Sequence, residues 1–262
     1  MKYQWSTPTW KQWLFRLSPL PRPMLGELWH HFHMFRLRLR SRLNPWVRWR
    51  QNRFRGQTEL RVNIGCGTTP LEGWVNIDGW HAKGVDLRID CRHYLPFDDQ
   101  SVRMIFCEHV FEHFHRPFET DPFLRECHRV LQPEGVLRVV VPDFRKYLEV
   151  YLSQDPLPSD GKIVSARIDE QLLVDTESRP ENPLEFHTRM EALNAVSHGW
   201  WHHKYIYDDP TLAQCFLDAG FQKVVIQSYG NSTLPELAVD TPARAVNSIY
   251  VERLRPQVST DP

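Results

Sequence analysis

The chain has 262 residues, of which 41% are apolar and 24% charged, and its formal net charge is zero. This is the composition of a globular protein, which excludes collagen, low-complexity disorder and a small disulfide scaffold. We expect no membrane-spanning helix and no secretory signal, because no long stretch is continuously apolar. The cysteines are dispersed without a C-x-x-C pair, so reduced thiols and a cytoplasmic protein are expected.

The charge is unevenly distributed along the chain. Residues 1–56 hold 12 basic residues and one acidic residue, whereas residues 57–262 hold 20 basic and 31 acidic residues. This asymmetry predicts a basic arm over 1–56, an acidic domain over 57–255 and a flexible tail over 256–262.

Apolar residues of the arm recur at steps of three and four, which predicts an amphipathic helix ended by Pro45. They are Leu25, Leu28, Trp29, Phe32, Phe35, Leu39 and Leu43, and the stripe is flanked by Arg36, Arg38, Arg40 and Arg42. One interpretation docks this helix on the acidic domain, with arginines reaching its carboxylates. A second places it on an anionic membrane surface, which would make the protein membrane-peripheral. Nucleic acid is the least favoured partner.

From residue 57 onward, predicted strands alternate with helices, which is typical of a doubly wound α/β sheet. Asp121-Pro122 and Asp209-Pro210 are predicted to open two of the helices by capping. The predicted strands are Glu59–Gly65, Trp74–Asp78, Val85–Asp90, Val102–Phe106, Val136–Val141, Lys223–Gln227 and Ser248–Glu252.

Ligands of open α/β sheets bind at the carboxyl ends of the strands. The first strand ends at the turn Gly65-Cys66-Gly67, where the main chain can approach a ligand, and the next two end in Asp78 and Asp90. These acids can accept hydrogen bonds from ribose hydroxyls and an adenine amino group. The third glycine of a dinucleotide-binding turn is replaced by Pro70, so the pattern favours an adenosine ligand without a pyrophosphate.

These features resemble the class I S-adenosylmethionine-dependent methyltransferases, in particular a bacterial small-molecule or glycan branch (methyltransferase type 11-like). The resemblance covers about 57–255 and implies a Rossmann-like, seven-stranded sheet whose last two strands are an antiparallel pair. The runs that carry it are Leu60–Gly67, Gly73–Asp78, Asp90 with Leu95–Phe97, His109–His113, Arg129–Gly135, His198–Lys204 and Ala219–Phe221.

The resemblance also implies roles for individual residues toward S-adenosylmethionine. Gly65, Cys66 and Gly67 would face its methionine end, Asp78 its ribose, and Asp90 with Cys91 its adenine. Glu108 and His109 would lie beside the sulfonium and the acceptor. Asn63 stands where many members of the family have an acid, so it would accept a hydrogen bond without supplying charge.

The resemblance predicts methyl transfer to oxygen or nitrogen of a small-molecule, glycan or lipid-linked acceptor. Motifs of nucleic-acid methyltransferases are missing, since Cys107–Val110 replaces the [DNS]-P-P-[YFW] run and no Pro-Cys occurs. The insert over about 150–206 would select the acceptor. The candidate general bases are His109, Asp143 and the group His198, His202, His203 and Lys204, from which His202 is singled out. The alternative is a cofactor-binding but inactive protein whose arm binds a partner.

His109-x-x-Glu112-His113 also matches a zinc-peptidase signature. The motif directly follows a predicted strand, and the spacing supplies no third ligand, so we expect no metal. We place Glu112 and His113 on the helix after that strand, in a packing or capping role.

Overall fold

The computed structural model describes residues 22–152, 163–164, 185–186, 188–198 and 203–254. Contacts within the chain divide it into two compact units, Met1–Trp49 and Arg50–Pro262. The division therefore falls a few residues before the boundary that the charge distribution predicts. None of the helices in the described ranges is long and apolar enough to cross a membrane.

The first unit contains helix α1, Arg22–Leu43, and most of helix α2, Pro45–Asn52. The predicted amphipathic helix is present and ends before Pro45. Helix resumes there because the side chain of Asn44 accepts hydrogen bonds from the amides of Trp46 and Val47, at 3.0 and 3.2 Å. Proline suits the first position of a helix, where its missing N–H has no partner to lose.

The second unit contains a seven-stranded sheet in the order β3-β2-β1-β4-β5-β9-β8. Strands β1 to β5 are parallel, and β9 pairs antiparallel with both β5 and β8. The predicted α/β fold with its antiparallel last pair is therefore confirmed. The strands are Leu60–Ile64 (β1), Val75–Asp78 (β2), Leu87–Arg88 (β3), Val102–Glu108 (β4), Leu131–Pro142 (β5), Val224–Gln227 (β8) and Ser248–Leu254 (β9). A separate two-stranded antiparallel sheet pairs Ile163–Val164 (β6) with Glu185–Phe186 (β7).

Alternating side chains of the strands pack into two apolar clusters, as expected for a sheet covered on both faces. Ile105 and Cys107 belong to the larger cluster, which includes Phe123 and Phe216 from two of the helices. Met104 and Phe106, on the intervening positions of β4, pack with Leu237 on the other side. The remaining helices are Thr120–Val130 (α3), Phe144–Leu152 (α4), Arg189–Ser197 (α5) and Asp209–Asp218 (α6).

The predicted helix caps were placed one or two residues too late. Helix α3 begins at Thr120 after Glu119, so Asp121 lies inside its first turn instead of capping it. Helix α6 is capped by Asp208, whose carboxylate accepts from the amide of Thr211 at 3.0 Å. In both cases proline marks the start of a helix correctly, because it is tolerated throughout the first turn.

The prediction that Glu112 and His113 lie on an α-helix is wrong, because both residues lie in a short 3₁₀ turn, Phe111–His113. His109 precedes this turn in the left-handed region, with φ of 53°. The two histidines of the H-x-x-E-H motif are therefore not aligned on one helix face.

Candidate functional site

The carboxyl edge of the sheet begins with the turn Gly65-Cys66-Gly67 after β1. Gly65 has φ of +73°, and a Cβ atom built on it would lie 2.0 Å from Cγ2 of Val110. Position 65 therefore requires glycine for two reasons: its backbone is left-handed, and a side chain would clash with the segment after β4. At Gly67, φ is +49° and a Cβ would meet no atom within 4 Å. The turn thus leaves open space beside its second glycine, which fits a bound ligand.

Asp78, at the end of β2, faces this turn. Its Oδ2 accepts from the amide of Gly67 at 2.9 Å, and its Oδ1 accepts from the amide of Trp80 at 2.6 Å. The side chain is only half-buried. Each carboxylate oxygen can accept more than one hydrogen bond, so Asp78 is positioned by the main chain and still able to accept from two ligand hydroxyls.

Asn63 lies within the sheet, and its side chain contacts the neighbouring strand β2. Its amide donates to Oδ1 of Asn76 on β2 at 3.0 Å, and both side chains are buried. Asn76 in turn exchanges two hydrogen bonds with the main chain of Leu71, at 2.8 and 2.9 Å. The pair therefore fixes the loop between β1 and β2.

Asp90 lies shortly after β3 and is engaged with Arg92. Its two carboxylate oxygens accept from Nε and Nη2 of Arg92 at 2.8 and 2.9 Å, and the aspartate side chain is 1% exposed. Arg92 also pairs with Glu119. Neither partner of Arg92 was predicted from the sequence, although the Asp-x-Arg spacing is a signal that points to the pair with Asp90. The ion pair restricts how the carboxylate can meet a ligand.

The two cysteines of this region are held as thiols. Burial raises the pKa of Cys66 to about 12, with the charge of Asp78 adding to the effect. Burial also raises the pKa of Cys91, and Asp90 acts in the same direction. Neither side chain is a thiolate nucleophile at neutral pH, so both shape the site by packing.

Glu108, at the end of β4, is held by a segment that precedes β9. Its carboxylate accepts from the amide of Thr241 at 3.1 Å and from the Thr241 hydroxyl, and it lies 3.5 Å from Nη1 of Arg244. The segment itself is attached to the sheet through Asp240, which pairs with the fully buried Arg138 at 2.6 Å. No feature of the sequence pointed to Thr241 or Arg244 as neighbours of β4.

His109 follows Glu108 and makes two side-chain contacts. Its Nε2 lies 3.1 Å from the hydroxyl of Ser248, and its Nδ1 lies 3.4 Å from Oε1 of Glu112. Burial holds the pKa of His109 well below its usual range, and Arg244, His203 and His113 act in the same direction. The imidazole is therefore neutral at neutral pH and has the proton-accepting capacity of a base.

Glu112 and His113 meet a residue that is distant in sequence, His203. One potential ligand atom from each of the three lies within 4.8 Å of the others. The approach is fixed by the main chain, since the amides of Lys204 and Tyr205 both donate to the carbonyl of Glu112, at 2.8 and 3.2 Å. From the sequence, His203 is predicted only as one of a group of candidate bases, and no spacing pairs it with Glu112.

Asp143 follows β5 and has the contacts of a helix cap. Its Oδ1 accepts from the amide of Arg145 at 3.1 Å at the start of α4, and Oδ2 lies 3.7 Å from Nζ of Lys146. The structure thus gives Asp143 a local structural role. His202, the third predicted base, lies outside the described residues, as does most of the insert over 150–206.

A cavity of about 300 Å³ opens elsewhere on this unit. Its lining includes Glu59, Leu60, Trp74 and Val75, which are at the amino ends of β1 and β2. It therefore lies at the opposite edge of the sheet from the glycine turn and the strand-end acids.

Comparison with known proteins gives one family match. Residues 78–139 match the model of a methyltransferase domain. This segment runs from the acid that ends β2 to the middle of β5, and so includes Asp90, Glu108 and the 3₁₀ turn. No curated protein sequence matches the chain.

Solved structures of low sequence identity are similar to the chain along most of its length. One is the 1,6-didemethyltoxoflavin-N1-methyltransferase of Burkholderia thailandensis, with 12% identity, 92% of this chain and 93% of that chain covered, and a TM-score of 0.42. Another is an S-adenosylmethionine-dependent methyltransferase of Thermotoga maritima, with 15% identity, 87% and 99% covered, and a TM-score of 0.44.

The family match falls on the part of the sheet where the strand-end residues converge. The seven-stranded sheet with its antiparallel last pair, β8 and β9, is the one that the family resemblance predicts. The open space at the glycine turn and the half-buried Asp78 carboxylate lie side by side at this edge of the sheet. The methyltransferase-domain match over residues 78–139 and the seven-stranded sheet together support an S-adenosylmethionine-dependent methyltransferase of the class I fold.

Proposed function

We propose that this chain is an S-adenosylmethionine-dependent methyltransferase that transfers a methyl group to oxygen or nitrogen of a small-molecule, glycan or lipid-linked acceptor. The observation that carries this proposal is the position of His109, a neutral and mostly buried imidazole at the end of β4. Its neighbour Val110 packs against Gly65 of the glycine turn. A hydroxyl or amine acceptor must lose a proton during methylation, and a neutral imidazole next to the cofactor turn can receive it.

In this proposal, the cofactor residues are those of the first three strand ends. Gly65 to Gly67 would approach the methionine end through their main chain, and Asp78 would accept from the ribose hydroxyls. The loop at Asp90 and Cys91 would contact the adenine, with Arg92 holding the Asp90 carboxylate in place. Asn63 would act through Asn76 on the loop between β1 and β2.

The bound S-adenosylmethionine supplies an activated methyl group, so the protein's main contribution is alignment of the acceptor. Correct positioning alone can lower a reaction barrier by roughly 7–11 kcal/mol. Glu108 would support this alignment through its contacts with Thr241 and Arg244. Glu112 lies beside Nδ1 of His109, where a carboxylate stabilises the imidazolium that forms when the base takes up a proton.

The cofactor site is tested by titrating S-adenosylhomocysteine into the Asp78→Ala variant in a calorimeter. We expect the affinity to fall by roughly 10–100-fold, because hydrogen bonds to a charged group contribute about 1.5–3 kcal/mol. The exposed Glu72→Ala in the preceding loop is the matched control and should bind as the wild type does. An unchanged affinity of Asp78→Ala would mean that the site is misplaced.

Turnover is tested by measuring S-adenosylhomocysteine formation against a panel of hydroxyl and amine acceptors. Comparing metabolites of a deletion strain with the parent, in search of compounds that lack one CH₂ group, would select the members of the panel. Tight cofactor binding without turnover on any acceptor would favour the inactive alternative.

We further propose that the basic N-terminal unit contacts an anionic membrane surface. The apolar stripe of α1 is exposed, with side-chain exposures of 53% for Leu28, 53% for Phe32 and 59% for Phe35. Arginines 36, 38, 40 and 42 lie along the same helix. Exposed aromatic and leucine side chains beside arginines match an interfacial helix that binds lipid phosphates.

This contact is tested by cosedimentation with phosphatidylglycerol-containing vesicles and with pure phosphatidylcholine vesicles. The full chain should pellet with the anionic vesicles only, and the triple variant Phe32→Ser, Phe35→Ser, Leu39→Ser should remain in the supernatant. Arg145→Glu, an exposed charge change in the second unit, is the control. Equal pelleting of the wild type and the triple variant would contradict the proposal.

A further inference from the structure

Three metal-ligand side chains from two distant segments of the chain meet at the turn after β4. We propose that Glu112, His113 and His203 bind one divalent transition-metal ion, for which Zn²⁺ is the best match. Glu112 also lies beside His109, so metal binding is measured apart from turnover, and the inference does not depend on the proposed acceptor.

The distances suit a metal ion that draws three ligands together. One ligand atom of each residue lies within 4.8 Å of the others, Oε1 of Glu112 is 4.0 Å from Nε2 of His203, and the two imidazole rings have centroids 5.1 Å apart. Ligand atoms of a tetrahedral zinc site are about 3.3 Å apart, given metal–ligand bonds of about 2.0–2.1 Å. Side-chain rotations that close about 1.5 Å would therefore complete the site.

The backbone that carries these ligands is already fixed. Lys204 and Tyr205 donate their amides to the carbonyl of Glu112, and Tyr207 forms a parallel bridge with Asp143 at the end of β5. His203 is thus held against the 3₁₀ turn by main-chain bonds on its carboxyl side. Such preorganisation lowers the entropic cost of bringing the ligands together.

The chemistry of the three side chains is that of a metal site with an open position. Two imidazoles and one carboxylate are a ligand set used by zinc sites that leave a position for water or substrate. The carboxylate of Glu112 is 2% exposed, so a metal ion bound there would be shielded from bulk water. A divalent ion would cross-link the turn after β4 to the segment 203–207.

Zinc binding by the purified full-length chain is the direct test. After removal of metals by chelation, we expect calorimetric titration with Zn²⁺ to give one site per chain and to raise the melting temperature. His203→Ala and His113→Ala should each lower the Zn²⁺ affinity by at least about 100-fold, the upper end of what loss of a hydrogen-bonding partner of a metal ligand costs. His115→Ala, an exposed histidine two residues after His113, should bind as the wild type does.

Two further measurements keep the result interpretable. S-adenosylhomocysteine is titrated into the same samples, so that loss of folding or failure of the cofactor site is seen separately from failure of the metal site. Co²⁺ added to the wild type should give the strong visible bands of a four- or five-coordinate ion. This measurement requires no variant protein. Absent Zn²⁺ binding, a Co²⁺ spectrum like that of the free ion, or variants that bind as tightly as the wild type would each overturn the proposal.

Discussion

The acidic side chains at the carboxyl edge of the sheet have different kinds of partners in its two halves. In the first half, at β1 to β3, the acids have fixed partners: Asp78 accepts from main-chain amides and Asp90 is locked to Arg92. In the second half, at β4 and β5, Glu112 lies beside the imidazoles of His109 and His203. Amides and arginine keep their protons at all working pH values, whereas imidazoles do not.

Substitutions in the two halves should therefore change different properties of the protein. A change in the first half should act on stability and on cofactor affinity, because its groups hold the site in one state. A change in the second half should act on turnover, because its groups can gain and lose protons. The predictions below test this separation, beginning with the largest expected effect.

Arg92→Met should destabilise the protein by about 3–5 kcal/mol, because it removes the guanidinium that pairs with the carboxylates of Asp90 and Glu119. Urea denaturation measures the change. Arg145→Ala is the control, since its pair with Glu149 has both side chains more than 60% exposed, and loss of an exposed pair costs less than about 1 kcal/mol. Equal stability of the two variants would contradict the fixed ion pair.

Gly65→Ala should cost about 2–5 kcal/mol, the sum of the left-handed backbone and the contact with Val110. Gly56→Ala has the same φ within 2° and open space around its Cβ, so it should show only the backbone part of about 1–2 kcal/mol. The double variant Gly65→Ala, Val110→Ala should regain part of the difference in the same denaturation experiment. If it does not, the close approach of the two segments is not the cause.

His109→Asn should lower kcat by roughly 100-fold or more, the lower end of the range for loss of a general base, and leave the affinity for S-adenosylhomocysteine unchanged. Asparagine is chosen because it tolerates the left-handed conformation of residue 109. Steady-state kinetics with an acceptor found in the panel, together with calorimetry, measure both quantities. A normal kcat, or weakened cofactor binding at normal kcat, would contradict the assignment of His109 to the second half.

The smallest effect is expected for Cys66, whose alkylation by iodoacetamide should depend little on pH. Its pKa of about 12 keeps the thiol protonated at neutral pH, so raising the pH from 7 to 8.5 should give little additional labelling of the native protein. Mass spectrometry of peptides, with the protein unfolded in urea as the reference, measures the extent. Rapid labelling of Cys66 in the native state would show that this half is less fixed than the contacts indicate.

Several features of the fold could be predicted because they depend on local sequence. The strand VLRVVV within β5 is apolar at almost every position, as a doubly covered parallel strand must be. The turn Gly65-Cys66-Gly67 and the acids at 78 and 90 follow directly from reading each strand to its end. The exact starts of α3 and α6 were wrong, because a proline fits several positions of a first helical turn.

The neighbours of the strand-end side chains could not be predicted in the same way. Glu108 meets Thr241 and Arg244, and Glu112 meets His203, across more than 90 positions of sequence. No periodicity or spacing encodes such contacts. They depend on which segments cross the end of the sheet after the chain has folded.

The sequence by itself determined the strands, their polar ends and the kind of cofactor that those ends favour, because propensity, alternation and turn chemistry act between near neighbours. Only the tertiary structure decided which acid is open and which is paired, and which histidines gather around Glu112. Partners of this kind are set by burial and by the packing of distant segments, which determine the charge that each side chain meets.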